Sequence, residues 1–147
     1  MTAGKFPIAE LPGIHDLPKA QFRIIRGLRL VVSCIDHKRD PVPELQLLFG
    51  SEDAARSFYR LMHRCGKHWP DSFIVQPPCC QQTSYDEILF TDLIAAVVTD
   101  DRPEFDRLLC EMLNAIARDD LFEYFARFTR PFRLARQFET FHVDRSA

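Results

Sequence analysis

The sequence DDLFEYFARFTRPFR occupies residues 119–133 and decides the fold class of this chain. Its apolar positions recur mainly at three or four residues, the period of a helix with one buried face. We therefore predict a helix that opens at Asp119 or Asp120. Pro131 removes one backbone donor, so a kink or break is expected there. The residues predicted to face inward are Leu121, Phe122, Phe125, Phe128 and Phe132.

The same period recurs in the segments that precede this stretch. Ser84-x-x-Glu87 is a capping box, and Asp101-x-x-Glu104 is a second helix-start signal. We predict helices over residues 18 to about 37, 43–49 and 51 to about 66, with two more opening at 84 and 101. Residues 73–75 are treated as loop, because a lone strand would have no partner. The chain is therefore predicted to be all-α, a bundle-like array of about five to six helices.

For two of these helices the sequence also predicts a cap or the residues that are buried. In the first helix, Asp16 is predicted to be the cap. In the fifth, Cys110 is predicted to lie in the core between Leu109 and Leu113, since a free cysteine packs as a small hydrophobe. The first helix is predicted to bury Phe22, Ile25, Leu28, Val32 and Ile35 and to carry a separate basic row, Arg23, Arg26 and Arg29.

A chain of 147 residues is long enough to form one domain with a substantial core. We divide it into an extended arm (1–17), a first helical half (18–66), an irregular connection (67–83), a second helical half (84–139) and a frayed tail (140–147). The arm is expected to dock through Phe6, Ile8 and Leu11.

Charge and composition limit the classes of function and the location. A net charge of −2 argues against binding to nucleic acid or to an acidic membrane through the overall charge of the protein. The longest apolar run, residues 93–98, is far too short to cross a bilayer. Residues 1–12 lack the apolar run of a secretory signal. We therefore expect a cytoplasmic protein with reduced thiols, and five cysteines, an odd number, also argue against a disulfide framework.

The irregular connection carries the most unusual chemistry. Residues 65–80 read CGKHWPDSFIVQPPCC, with three of the five cysteines and the only tryptophan. Cys-x-x-His occurs twice, and a spacing of three places both side chains on one helix face. Four such ligands would suit a tetrahedral zinc ion, whereas adjacent cysteines would suit a strained, reducible disulfide. The candidate metal ligands are Cys34, His37, Cys65, His68, Cys79 and Cys80; the alternative that we favour is that these thiols are structural.

No organised catalytic set is apparent. The sequence lacks Gly-x-Ser-x-Gly, a phosphate-binding glycine loop and His-Glu-x-x-His. Cys79 or Cys80 could in principle pair with His68 as nucleophile and base, but no third group that would orient the base is evident. We therefore lean towards a protein that is not an enzyme.

Charge is distributed unevenly along the chain. Residues 84–123 contain eleven acidic and three basic residues, whereas no acid interrupts residues 124–138. Arg127, Arg130 and Arg133 would lie together on the polar side of the last helix. They could bind an anionic partner such as RNA, DNA or an acidic protein surface. The alternative that we favour is that they form a solvated face paired with the acidic helices of the same fold.

Pro77-Pro78-Cys79-Cys80 followed by Ser84-x-Asp86-Glu87 resembles a group of small helical bacterial proteins of unknown function. The resemblance covers the middle third of the chain. It implies a helical fold and a bacterial cytosolic setting, and it brings no activity and no assigned site.

The function that the sequence favours is binding without catalysis, through a protein partner or a homodimer face. A nucleic-acid partner and a membrane are not expected. The first alternative is a zinc-binding or redox-sensing thiol site in residues 65–80. The second is an anionic partner held by the basic face of the last helix.

Overall fold

A computed structural model describes residues 11–134, with the backbone alone at Leu134. Over that range the chain is all-α, as predicted. A short 3₁₀ helix at Ile14–Asp16 precedes six α-helices. These are α1 (Lys19–Asp36), α2 (Val42–Phe49), α3 (Glu52–His68), α4 (Tyr85–Val98), α5 (Arg102–Leu109) and α6 (Ala115–Leu134). The predictions for Phe6, Ile8 and residues 135–147 lie outside the described residues.

Local start and stop signals explain most of the helix bounds. The Ser51 hydroxyl accepts the Ala54 N–H at 3.1 Å and opens α3. Ser84 and Glu87 form the predicted capping box at the start of α4. Asp101 accepts the Glu104 N–H at the start of α5. Gly50 ends α2 with φ 75°, a left-handed conformation that glycine adopts without strain.

Phenylalanine rings from α2, α3, α4 and α6 form the centre of the core. The ring centroids of Phe49 and Phe58 are 5.0 Å apart, and that of Phe128 lies 5.4 and 5.1 Å from them. Phe90 and Phe132 extend the cluster at 5.8 Å. All five side chains are fully buried. Edge-to-face contacts at these distances contribute about 0.5–1.5 kcal/mol per pair beyond the burial of area.

Gly27 lets α1 pass close to this cluster. A Cβ atom at position 27 would lie 2.8 Å from Cζ of Phe49 and 3.1 Å from two atoms of the Phe58 ring. The predicted inward face of α1 is partly wrong, because the helix is rotated towards this contact. Phe22 and Val32 are only partly buried and Ile35 is 48% exposed. The residues of α1 that are buried are Ala20, Gln21, Ile24, Ile25, Gly27, Leu28, Arg29, Val31 and Cys34.

The structure corrects the boundary between the last two helices. The Asn114 side chain accepts the Ala117 N–H at 2.9 Å, so α6 begins before Asp119. α5 ends at Leu109, and a turn follows it. Cys110 lies in this turn and is exposed, so its predicted place in the core is wrong.

Two further expectations about helix ends differ from the structure. Of the kink or break expected at Pro131, the break is wrong, because α6 continues through Pro131 to Leu134. Burial of Phe128 and Phe132 against the core offsets the hydrogen bond lost at the proline. Asp16 lies in the 3₁₀ helix and does not cap α1, because Pro18 occupies the N-cap position.

Candidate functional site

A buried ion pair holds the connection between α3 and α4 against α1. Arg29 Nε donates to Glu87 Oε2 at 2.8 Å, and Nη2 donates to Oε1 at 3.1 Å. The side chains are 1% and 0% exposed. The predicted basic row of α1 is therefore wrong at Arg29, which is a core residue. A fork-to-fork pair of this kind withstands burial only if its remaining polar atoms are also satisfied.

The backbone of the connection supplies the remaining partners. Arg29 also donates to the carbonyl oxygens of Cys80 at 2.6 Å and Gln82 at 3.0 Å. Glu87 accepts the Gln76 N–H at 3.0 Å and the Ser84 N–H at 2.9 Å. One ion pair thus fixes four points of the loop 76–84. We call this arrangement the Arg29–Glu87 clamp.

The connection is also held at its ends. Asp86 accepts the Trp69 indole N–H at 3.3 Å and the Ile74 N–H at 2.8 Å. From the N-terminal side, the Ile14 N–H donates to the Gln81 carbonyl oxygen at 2.7 Å. The Thr83 hydroxyl donates to the Pro12 carbonyl oxygen, also at 2.7 Å. Residues 69–83 are therefore an ordered cover over α1 and α4, although they contain neither helix nor strand.

The predicted metal ligands are placed in different environments. Cys34 and Cys65 are buried, and burial raises the pKa of both thiols. A buried neutral thiol is inert and packs as a hydrophobe. Cys79 is exposed and Cys80 half-buried, in a turn closed by the Cys80 N–H and the Pro77 carbonyl oxygen at 3.0 Å.

The two predicted histidine ligands have protein partners. His37 Nδ1 lies 2.8 Å from the Ser33 carbonyl oxygen, at the exposed end of α1. His68 Nε2 lies 2.7 Å from Oδ2 of Asp120, which also accepts from Arg64 at 3.1 Å. Among residues 11–134, no group of three or more His, Cys, Asp or Glu side chains is placed to hold a metal ion. The zinc site stays a prediction.

The richest cluster of positive charge lies between α3 and α6. An open groove of about 520 Å³ is lined by Arg60, His63, Arg64, Lys67 and Tyr124. The Cζ atoms of Arg64 and Arg127 lie 4.7 and 4.8 Å from the Tyr124 ring centroid. We call this surface the basic groove. Its four α3 residues follow the spacing i, i+3, i+4, i+7, so this basic face of α3 is visible in the sequence.

Carboxylates compensate only part of this charge. Asp120 pairs with Arg64, and Glu123 pairs with Arg127 at 3.4 Å. Within residues 11–134, no ion pair to Arg60 or Lys67 is formed. The hydrogen bond to His68 lowers the pKa of Asp120, and the nearby Arg64 guanidinium adds to that effect. The groove therefore keeps an excess of positive charge at neutral pH.

The acidic segment, residues 84–123, differs from the groove because many of its carboxylates bond to other groups of the protein. Asp106 accepts from both Arg102 and Arg118, and Glu104 accepts from Arg107 at 2.7 Å. Other acids of residues 84–123 cap helices or hold the connection: Asp86, Glu87 and Asp101. Several of the negative charges of this region are therefore paired with arginines of the same fold.

The predicted arginine patch on α6 is divided between two surfaces. Arg127 stacks on Tyr124 beside the basic groove. Arg130 and Arg133 line a separate depression of about 490 Å³ beside Val97 of α4 and Asp100 of the turn that follows it. Anion binding by all three arginines stays a prediction, since successive steps of three residues turn each one further around the helix.

Comparisons with protein-family models, curated proteins and solved structures find no significant match for the chain. Across the part of the chain that the structure describes, no helix has the length and apolar character needed to span a membrane.

Proposed function

We propose that this protein is a non-enzymatic binding protein whose basic groove takes an acidic segment of a partner protein. The observation that carries the proposal is the composition of the groove. Arg60, Arg64 and Lys67 converge on one depression with His63 and Tyr124. Guanidinium forks of this kind match carboxylate groups in a bidentate geometry.

The charge of Arg60 and Lys67 is available to an external ligand. The acids that might have neutralised it are engaged elsewhere, in helix caps and in pairs with other arginines. A second copy of the chain is a less suitable occupant, since several residues of its acidic segment are already paired. An anionic group from another molecule would gain contacts without breaking an existing ion pair.

The size and setting of the groove favour a protein segment over a nucleic acid. Arg60 and Lys67 are two helical turns apart, roughly 10 Å. A contact of this length accommodates a few carboxylates. The net charge of −2 supplies no long-range attraction for a long polyanion, on which nucleic-acid binding depends.

The test is fluorescence anisotropy with a labelled Glu-rich peptide, a matched Gln-rich peptide and a single-stranded DNA oligonucleotide. The Glu-rich peptide is expected to bind most tightly, and its affinity should fall as salt rises, because exposed charges are screened. The charge-reversal variant R60E/K67E is expected to weaken binding by about tenfold or more.

Arg107→Glu is the matched control, since Arg107 is an exposed arginine on α5, away from the groove. It should leave binding unchanged. The proposal would be contradicted if both peptides bound equally, or if the DNA alone bound. It would also be contradicted if the control lost as much affinity for the Glu-rich peptide as R60E/K67E does.

The other functional predictions have less structural support. The strongly exposed apolar side chains Ile35, Leu47, Ile74 and Ile116 lie on four different segments of the chain. A homodimer face built on them stays a prediction, as does a redox role for Cys79 and Cys80.

A further inference from the structure

A second, smaller cavity lies where α1, the start of α2 and the Pro77–Cys80 turn meet. Its volume is about 210 Å³. Arg26 and Ser33 of α1 line it, together with Arg39, Glu44 of α2 and Pro78 of the turn. It is separate from the basic groove, with which it shares no lining residue.

The charge balance of this cavity is positive. Arg29 lies in its wall but is neutralised by Glu87. Arg39 donates to Glu44 at 2.6 Å across an exposed pair. Arg26 forms no ion pair within residues 11–134 and rests against the Phe22 ring at 5.8 Å. One guanidinium charge is therefore left over, and the buried Cys34 thiol in the wall, whose pKa burial raises, adds no negative charge.

The size of the cavity limits the ligand. Sites for drug-sized molecules usually enclose about 300–1,000 Å³, so this cavity suits a small group. Two guanidinium groups and the Ser33 hydroxyl are among the donors that line it. A phosphate group offers three acceptor oxygens to these donors, whereas a carboxylate offers two.

We propose that this cavity binds a small tetrahedral oxyanion, either inorganic phosphate or the phosphate group of a small molecule. Arg26 and Arg39 supply the charge-assisted hydrogen bonds, and Ser33 supplies a third donor. The anion would link α1, the start of α2 and the turn that the Arg29–Glu87 clamp holds in place. This site does not depend on the proposed function of the basic groove.

The experiment is calorimetric titration of the full chain with inorganic phosphate, glycerol phosphate and acetate at constant ionic strength. Phosphate is expected to bind more tightly than acetate, and glycerol phosphate shows whether a monoester is also accepted. Arg26→Gln and Arg39→Gln are each expected to weaken phosphate binding by about tenfold. Glu44→Gln should strengthen it, because a competing carboxylate is removed from the wall.

Arg107→Gln is the matched control. Its pair with Glu104 at 2.7 Å resembles the Arg39–Glu44 pair, and the two arginine side chains are 57% and 53% exposed. It should leave phosphate binding unchanged. All these substitutions are at accessible side chains, so the variants are expected to fold.

The inference is overturned if the wild-type chain binds no phosphate, or if Arg26→Gln and Arg39→Gln bind it as the control does. It is also overturned if phosphate binding is lost only in R60E/K67E, because the anion would then lie in the basic groove. That last result would contradict the phosphate site but not the proposed function of the basic groove, so the two proposals can be tested separately.

Discussion

The phenylalanine cluster and the Arg29–Glu87 clamp stabilise two parts of one small fold by different physical means. The cluster joins α2, α3, α4 and α6 through ring contacts such as Phe49 with Phe58, which depend on burial and shape and involve no hydrogen bonds. The clamp joins α1 to α4 through the Arg29–Glu87 pair, and this pair makes directed bonds to four backbone groups of the loop 76–84. A regular helical interface can be held by burial alone, whereas an irregular cover has unpaired backbone groups that need partners.

This contrast implies different responses to mutation. Apolar packing tolerates a change of shape at a cost set by volume. A buried polar network fails when one member is lost, because the others stay buried without partners. Substitutions in the clamp and beside the phenylalanine cluster measure this difference, and the larger loss of stability is expected in the clamp.

Glu87→Ala is expected to destabilise the protein by about 3–5 kcal/mol, because it leaves the Arg29 charge buried and unpaired. Denaturant unfolding measures the loss, and hydrogen exchange should show that the amides of Gln76 and Ser84 lose protection first. Glu44→Ala removes a carboxylate from an exposed pair and should cost less than about 1 kcal/mol. Similar losses in the two variants would show that the clamp contributes no more than a surface pair.

Gly27→Ala and Gly66→Ala are expected to change stability in opposite directions. Alanine is favoured over glycine within a helix by about 1 kcal/mol. At position 66 the added methyl meets nothing within 4 Å, so stability should rise. At position 27 it meets the Phe49 ring at 2.8 Å, and overpacking of this kind costs about 1–3 kcal/mol, so stability should fall.

Thermal unfolding of the two glycine variants, measured side by side, provides the comparison. A gain of stability in Gly27→Ala would mean that the rings of the phenylalanine cluster move easily to accommodate the added methyl group. The cluster would then be more loosely packed than the ring distances indicate.

The smallest expected effect concerns pH. The hydrogen bond from His68, with the charge of Arg64, lowers the pKa of Asp120 in the folded chain. The stability that this carboxylate contributes is therefore present above its ordinary pKa near 3.8 and is lost as pH falls through the lowered folded value. Asp120→Asn should be less stable than wild type at neutral pH by under about 1 kcal/mol, and the difference should vanish in acid.

Unfolding curves measured at neutral and acidic pH check this dependence. Asp71→Asn, at an exposed position in the loop after α3, is the control and should show no such difference. A difference between Asp120→Asn and wild type that persisted at low pH would exclude the ionic origin.

Much of the helical framework could be predicted, since its signals are local. Ser51, Ser84 and Asp101 each cap a helix by bonding to an N–H three residues ahead. The errors arose where two local patterns competed. The apolar run around Leu113 suggested that α5 continues, whereas the Asn114 side chain starts α6 there.

The candidate site was less accessible to prediction. The thiol-rich segment does mark the irregular cover between α3 and α4, and the zinc and redox roles of its cysteines stay predictions. Residues 69–83 are held by Arg29 and Glu87. No local pattern in the sequence indicates that these two residues are partners of this segment. The basic spacing of Arg60, Arg64 and Lys67 was present in the sequence, yet nothing in it said that Tyr124 and Arg127 would join them.

Periodicity and capping thus determine from sequence alone that the chain is helical and roughly where its helices begin. These signals act over three or four residues, so they can be recognised from neighbouring residues alone. The rotation of α1, the burial of Arg29 and the meeting of α3 with α6 depend on residues far apart, such as Arg29 and Glu87, which are 58 positions apart. Only packing of the whole chain brings such groups together, because the helices between them must fold first and the backbone partners that offset the desolvation of the pair lie on the packed loop.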